Sequence, residues 1–322
     1  MKKISFVIPV FEEGSNIFNN IECIMSYIKD LKYEFEFVIV DDGSNDHTWI
    51  ELQKLSFKYQ YVRVIQLSRN FGKEAALCAG LDNISGDACI IMDSDLQHPP
   101  SLLPIMISYW EEGYEVVEGV KSDRGQEKFM YKTLTSLYYS TLNKLTGTDL
   151  TGASDFKLLD KMVVNSWRNM RERVTFFRGM SAWQGYNRKQ VSFNVEQRSG
   201  GDTKWSIKTL FVLAKNSITS YSTIPLHFIT VIGFFFLLGA VALFIQTLYQ
   251  KLSGNAVSGF TTVILLLLIT GSLLMISIGI IGEYIARIYE EVKMRPRYLI
   301  REITNGKKNE MTSERYYEYQ NS

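Results

Sequence analysis

The stretch Ala88–Pro100, A-C-I-I-M-D-S-D-L-Q-H-P-P, is an apolar run of strand character that stops at Asp93 and Asp95 and passes into a proline-marked helix start. Five successive apolar residues leave the strand no polar face, so it needs cover on both sides, as in a parallel sheet flanked by helices. In such sheets ligands gather beyond the carboxyl ends of the strands, which is where the two carboxylates fall. Two aspartates one residue apart suit a hard divalent cation shared with phosphate oxygens. Alone the pair is weak, because about one D-x-D arises by chance in a chain of this length.

Outward from this stretch the same pattern repeats. The runs I-S-F-V-I-P-V, F-E-F-V-I-V, V-R-V-I-Q-L, A-C-I-I-M and Y-E-V-V-E-G alternate with helical patterns, one of them marked by Ile17, Ile21, Ile24 and Ile28, others around Trp49–Phe57 and Ala75–Leu81. The expectation is an α/β, doubly wound, mostly parallel sheet. Four strand ends are polar: Pro9, Glu12 and Glu13 after the first, Asp41-Asp42-Gly43-Ser44 after the second, Ser68-Arg69-Asn70 after the third, and Asp93-Ser94-Asp95 after the fourth. Each could be an ordinary turn or helix cap, with Asp46 a suitable N-cap. Together on one edge they indicate a nucleotide and metal site, with Asp41 or Asp42 placed to accept hydrogen bonds from a base or ribose. G-x-G-x-x-G and G-x-x-x-x-G-K-[ST] are both missing from the sequence, so a metal on Asp93 and Asp95 would have to hold the phosphates.

The chain has 322 residues and a formal net charge of +1, which gives no field directed at nucleic acid. Ile224–Tyr249 and Ala256–Gly282 contain no Asp, Glu, Lys or Arg. Each exceeds the roughly 20 residues needed to cross a bilayer as a helix, so two tilted transmembrane helices are expected rather than a buried soluble hairpin. The connection between them carries only Lys251, whereas Arg287, Lys293, Arg295, Arg297 and Arg301 follow the second span. The positive-inside rule then puts both chain ends in the cytoplasm. Met1-Lys2-Lys3 and the apolar run behind it lack a small-residue cleavage site and do not read as a signal peptide. Three scattered cysteines suit reduced thiols. Lys204–Ser220 reads as an amphipathic interfacial helix and Phe129–Leu145 as a second such element, while Glu302–Ser322 reads as a mobile tail.

The strings P-V-F-E-E-G-S-N-I, V-I-V-D-D-G-S-N-D-H-T, L-S-R-N-F-G-K-E-A-A-L and M-D-S-D-L-Q-H-P-P, in that order, resemble the family 2 inverting glycosyltransferases of GT-A fold, more narrowly those acting on polyprenyl phosphates such as the bactoprenol glucosyltransferases and dolichol-phosphate mannose synthase. The resemblance runs from about Ile4 to about Arg297. It implies a nucleotide pocket at Pro9, Glu12, Asp41, Asp42 and Asp93, and a divalent metal, Mg2+ or Mn2+, at Asp93, Asp95 and Gln97. S-D-F-K-L-L-D-K at Ser154–Lys161 is similar to the family's G-D-F-R-L-L-D-R and puts Asp155, with Asp95, at the catalytic centre, as base or as organiser of the acceptor. The competing reading of Asp155 is an acid heading a helix over Phe156–Val164. R-S-G-G-D-T-K-W at Arg198–Trp205, with Arg124 and Lys128, implies acceptor-phosphate cations at Arg124, Lys128, Arg198 and Lys204. Lys157 and Lys161 stand where the family has arginines, which would loosen phosphate geometry there.

The implied organisation is a cytoplasmic GT-A catalytic domain over 1–200, an interfacial helix over 201–223, two spans over 224–288 and a tail over 289–322. The implied partners are a nucleotide sugar, a polyprenyl (undecaprenyl) phosphate and the bilayer of the cytoplasmic membrane, with a separate flippase and a downstream glycosyltransferase; a homo-oligomer is left open. UDP-glucose is the first donor, with UDP-N-acetylglucosamine, another UDP-sugar or GDP-mannose as alternatives, and a non-catalytic lipid-phosphate-binding scaffold is the reading from another class. A processive synthase is disfavoured because Q-x-x-R-W is missing from the sequence.

Overall fold

The computed structural model describes residues 1–14, 16–121, 154–170, 172, 177–193, 224–253, 259–305 and 308–312. Its centre is built from β1 (Lys3–Val10), β2 (Glu34–Asp41), β3 (Val62–Leu67) and β4 (Ala88–Ile91). These four are mutually parallel in the order β4-β1-β2-β3. The crossovers are α1 (Ile17–Ile28), α2 (Thr48–Lys58) and α3 (Lys73–Asp82). The α1 isoleucines at 17, 21, 24 and 28 are all buried, as their spacing predicts. In α3 every residue from Ala75 to Leu81 is buried. The helix lies so close to the sheet that a Cβ on Gly80 would come within 2.3 Å of Val7 Cγ1. Phe6 and Phe37 stack across β1 and β2 with centroids 4.6 Å apart, so the sheet's own face carries aromatic packing into the core.

Beyond β4 the expected run of parallel strands ends. A 3-10 turn over Pro100–Leu102 leads into α4 (Leu103–Glu111) and β5 (Val116–Lys121). Between β4 and β5 lies β6 (Lys157–Asp160), antiparallel to both, and β7 (Arg188–Phe193) runs parallel to β5 on its outer side. On the competing reading of Asp155, Lys157–Asp160 would be helical. It is a strand because Leu158 and Leu159 fill the slot between β4 and β5, and the helix α5 (Lys161–Asn169) starts only after Asp160, whose carboxylate accepts the Met162 amide at 2.8 Å. Asp155 therefore precedes a strand and heads no helix. A further helix, α6 (Phe177–Trp183), precedes β7.

At the opposite edge the chain departs from expectation again. The tail returns to the sheet as β8 (Ile300–Asn305), antiparallel to β3, and β9 (Lys308–Thr312) pairs with β8. Ser68 N donates to Leu299 O at 2.8 Å, Tyr298 Oη to Asp82 Oδ2 at 2.8 Å, and Arg297 to Met170 O. Residues 300–305 and 308–312 are thus part of a nine-stranded mixed sheet, because β3 would otherwise leave a row of backbone groups unpaired at its edge.

The chain divides into two compact units, one holding the sheet together with the segment from Arg295 onward, the other holding α7 (Ile224–Leu252) and α8 (Phe260–Val292). Both of these helices are long and apolar enough to cross a membrane. Large side chains along them are exposed, Phe235 and Leu267 at 66% each, which suits a lipid surround. The expected interfacial stretches Phe129–Leu145 and Lys204–Ser220 lie outside the described residues.

Candidate active site

Four parallel strands end on one edge, and their loops are fastened to one another by side chains. Asp41 is fully buried; its Oδ1 accepts Ser44 N at 3.0 Å and its Oδ2 accepts Gln66 Nε2 at 3.1 Å. Asp42 accepts the amides of Phe71 and Gly72, both at 2.8 Å, tying the β3–α3 loop to the end of β2. Burial pushes the Asp42 carboxyl up, against the pull of those two bonds. Gly43 sits at φ +72°, and a Cβ there would lie 2.4 Å from the Arg69 carbonyl carbon, so the D-D-G-S turn admits no side chain at this point.

The loop after β1 hangs on the start of α2. Glu12 N donates to Ser44 Oγ at 2.9 Å, Glu13 N to Thr48 Oγ1 at 2.9 Å, and Gly14 N to Asp46 Oδ2 at 3.1 Å. Glu12 is exposed and adopts φ +53°, a conformation uncommon outside glycine and held here by these bonds. Pro9 is buried within β1 opposite Val40.

The D-S-D loop is gripped from two sides. Ser94 Oγ donates to Glu13 Oε2 at 2.7 Å and Asn20 Nδ2 to Ser94 O at 2.9 Å. Asp93 N donates to His98 Nδ1 at 3.2 Å, and His98 stacks on Phe156 at 5.0 Å. Asp95 is exposed, and its Oδ1 accepts Gln97 N at 3.1 Å in an Asx turn around Leu96, which has φ +59°. Asp93 and Gln97 are partly exposed. Burial raises the pKa of Glu13, and the charges of Asp95 and Asp93 add to the effect against the Ser94 bond. Among the described residues no three His, Cys, Asp or Glu side chains form a metal cage. The donor set nonetheless fits a divalent ion of the kind that takes one or two carboxylates and completes its shell with substrate phosphates, since hard oxygens stand at Asp93 and Asp95 and Asp93 Oδ1 already faces a cation.

That cation is Lys73. Its Nζ lies 2.5 Å from Asp93 Oδ1 and 2.9 Å from Asp155 Oδ2, joining the loop after β4 to the segment that leads into β6. Asp155 is 7% exposed and is held in addition by Arg178, Nε to Oδ1 at 2.7 Å and Nη2 to Oδ2 at 2.9 Å. Burial alone would raise the Asp155 pKa, but the Arg178 bonds and the charges of Arg178 and Lys73 outweigh it and hold the carboxyl well below the usual carboxylate range. Beside Lys73, Glu74 accepts the Phe177 amide at 2.8 Å, fastening the start of α6 to the start of α3. Burial, with the nearby Asp155 charge, pushes Glu74 up to about 7.

Lys157 and Lys161 do not stand where phosphate cations would. Lys157 is fully buried, 3.0 Å from Glu118 Oε1 and 2.7 Å from Ser181 Oγ, because the strand alternation of β6 turns it into the sheet. Lys161 faces Asp87 at 3.5 Å near the amino end of β4.

Residues 5–168, about half the chain, match the family model for "Glycosyl transferase family 2". The chain belongs to glycosyl transferase family 2. It is 38% identical over 301 residues to the putative glycosyltransferase CsbB of Bacillus subtilis, covering 93% of this chain and 91% of that protein. It is 36% identical over 306 residues to the prophage bactoprenol glucosyl transferase homolog of Escherichia coli, covering 94% and 99%. Glucosyl-3-phosphoglycerate synthase from Mycobacterium tuberculosis, solved with Mn2+, UDP and glucosyl-3-phosphoglycerate, superposes with a TM-score of 0.47 at 21% identity over 68% of this chain and 78% of that one.

In this glycosyltransferase the structure brings Asp42, Asp93, Asp95 and Asp155 to one edge through chains of direct contacts. The expected acceptor cations Arg124, Lys128, Arg198 and Lys204 lie outside the described residues. Three residues of the candidate site were not singled out from sequence: Lys73, Glu74 and Arg178. Lys73 had a signal, a cation opening a helix where the macrodipole disfavours one. Arg178 had none, since only the tertiary fold carries α6 to Asp155.

Proposed function

We propose that this enzyme transfers a single sugar, first of all glucose from UDP-glucose, to a polyprenyl phosphate with inversion at the anomeric carbon, on the cytoplasmic face of a membrane crossed by α7 and α8. The observation that carries the reading is the match to bactoprenol glucosyl transferases along nearly their whole length, both apolar helices included, in a chain whose strand-end edge holds D-x-D and Asp155 together. The positive residues after α8 favour the cytoplasmic orientation.

In this reading Asp93 and Asp95 hold a divalent metal with the donor diphosphate, Gln97 supports their loop, and Pro9, Glu12, Asp41 and Asp42 shape the nucleotide side. The metal, when bound, supplies Lewis-acid neutralisation of the diphosphate leaving group. An acceptor monophosphate, with a second pKa near about 6, is largely dianionic at neutral pH and attacks without needing a base. Asp155, ionised and clamped by two cations, is then an organiser of positive charge rather than a proton acceptor. Arg124, Lys128, Arg198 and Lys204 remain candidates for the acceptor phosphate. Between Thr230 and Gly282 the sequence offers no ionisable group except Lys251, near the end of α7, to carry a sugar lipid across, so a separate flippase and a downstream glycosyltransferase complete the route.

The test is to incubate membranes containing the protein with a panel of labelled nucleotide sugars and undecaprenyl phosphate and follow label into the lipid phase. UDP-glucose should be the donor used. Transfer from a different nucleotide sugar alone would replace the donor, and label in no lipid product with any donor would remove the reading. Asp95→Asn and chelation should each abolish transfer.

A further inference from the structure

Lys73 sits where local rules disfavour it. It is the first residue of α3, so its ammonium stands at the positive end of the helix, where cations are destabilising. The loop that presents it is fixed from behind by the bonds of Asp42 to Phe71 N and Gly72 N. Its side chain is 41% exposed, and it bridges two carboxylates from separate segments, one after β4 and one before β6. Asp155 has a second strong partner in Arg178, a bidentate one. Asp93 Oδ1, by contrast, is the oxygen that the divalent ion of the proposed reaction would need.

We propose that Lys73 is an exchangeable cation of the active site: it and the divalent metal compete for Asp93, and the metal, once bound, leaves Lys73 on the Asp155 side to pair with the phosphate of the acceptor. The acceptor half rests on the functional reading above; the competition half does not. Three features make the exchange physically reasonable. An ammonium 2.5 Å from Asp93 Oδ1 and a divalent ion on that oxygen would repel one another at contact distance. The half-exposed four-carbon stem can turn about its Asp155 contact without moving α3. A compact point charge with three donors can accept a new anionic partner without the fixed geometry an arginine fork demands. Lys73 then supplies charge for a dianionic acceptor only after the metal is in place, which would order the binding of the two.

The experiment is reductive methylation of the full-length protein in detergent with formaldehyde and borohydride, Lys73 labelling being read by peptide mass spectrometry and Lys54, on α2 and exposed, serving as the internal reference. Mg2+ alone should raise the Lys73 labelling rate several-fold while leaving Lys54 unchanged, and a short-chain prenyl phosphate added with Mg2+ should bring it back down. An Mg2+-independent or Mg2+-suppressed rate overturns the exchange, whatever the enzyme transfers. For the acceptor half, Lys73→Met should raise the KM for prenyl phosphate by about tenfold while the donor KM stays within about twofold, the loss expected for one charged contact to a phosphate. A parallel rise in both constants, or in the donor constant alone, overturns it. Because the labelling needs no turnover, a failed sugar-transfer assay and a failed exchange are separate results.

Discussion

Arg178 grips Asp155 through two parallel bonds, Nε to Oδ1 at 2.7 Å and Nη2 to Oδ2 at 2.9 Å, and this fork makes the carboxylate a charge anchor before any substrate is considered. Asp155→Asn keeps the shape and removes the charge. Since Lys73 and Arg178 stay partly solvated, the variant should lose about 2 kcal/mol of stability, read by thermal or denaturant unfolding in detergent.

The pH dependence of transfer follows from the same clamp. With its carboxyl well below the usual range, Asp155 stays ionised throughout neutral and mildly acidic pH. Activity falling on the acid side should therefore track the acceptor phosphate near about pH 6. Residual activity of Asp155→Asn should show the same acid limb; a limb that disappears in the variant would identify Asp155 as the titrating base.

Lys157 and Glu118, 3.0 Å apart, are both almost fully buried. Removing one member strands the other. Lys157→Met should cost about 3–5 kcal/mol, and the double change Lys157→Met with Glu118→Leu should recover a large part of that loss. Equal unfolding midpoints for wild type and Lys157→Met would show that the pair contributes nothing.

Glu36 accepts from Ser5 Oγ at 2.5 Å and from Ser85 N and Oγ at 2.5 and 2.8 Å, and pairs with Lys3 at 2.7 Å. Burial would raise its pKa, but the bonds from Lys3, Ser5 and Ser85 bring it down to about 2. A depressed carboxylate contributes stability that is present above its unfolded value of about 4.3 and is lost as pH falls toward its folded one. Glu36→Gln should therefore flatten the stability curve between about pH 4.3 and about pH 2, where the wild type loses stability on acidification.

The returning tail gives a fifth expectation. Ending the chain after Met294 removes β8, frees the edge of β3 and deletes the Leu299 carbonyl that holds Ser68 N. The truncated protein should aggregate and be cleaved by protease near residues 68–72, whereas Tyr298→Phe, losing the bond to Asp82, should fold with a loss of about 1 kcal/mol.

Periodicity and turn chemistry were enough to read the centre of this protein. The apolar runs of β1 to β4 have no polar face, so they had to lie inside a covered parallel sheet, and the polar residues ending them had to share an edge. The two uncharged stretches that became α7 and α8 were equally plain, because length and composition alone set the demand of a bilayer. What only tertiary structure decided were the contacts between segments far apart in the chain. Leu158 and Leu159 could have lined a helix, and became a strand because a slot between β4 and β5 was open to them. The tail's polar sequence gave no sign of β8, since a strand added beside β3 takes much of its stability from that neighbour's unpaired backbone rather than from its own apolar content. The carboxylates of the D-x-D loop and Asp155 were visible as residues, but their meeting through Lys73 was not. Side-chain charge is written in the sequence; which opposite charge it meets depends on how strands and helices are stacked.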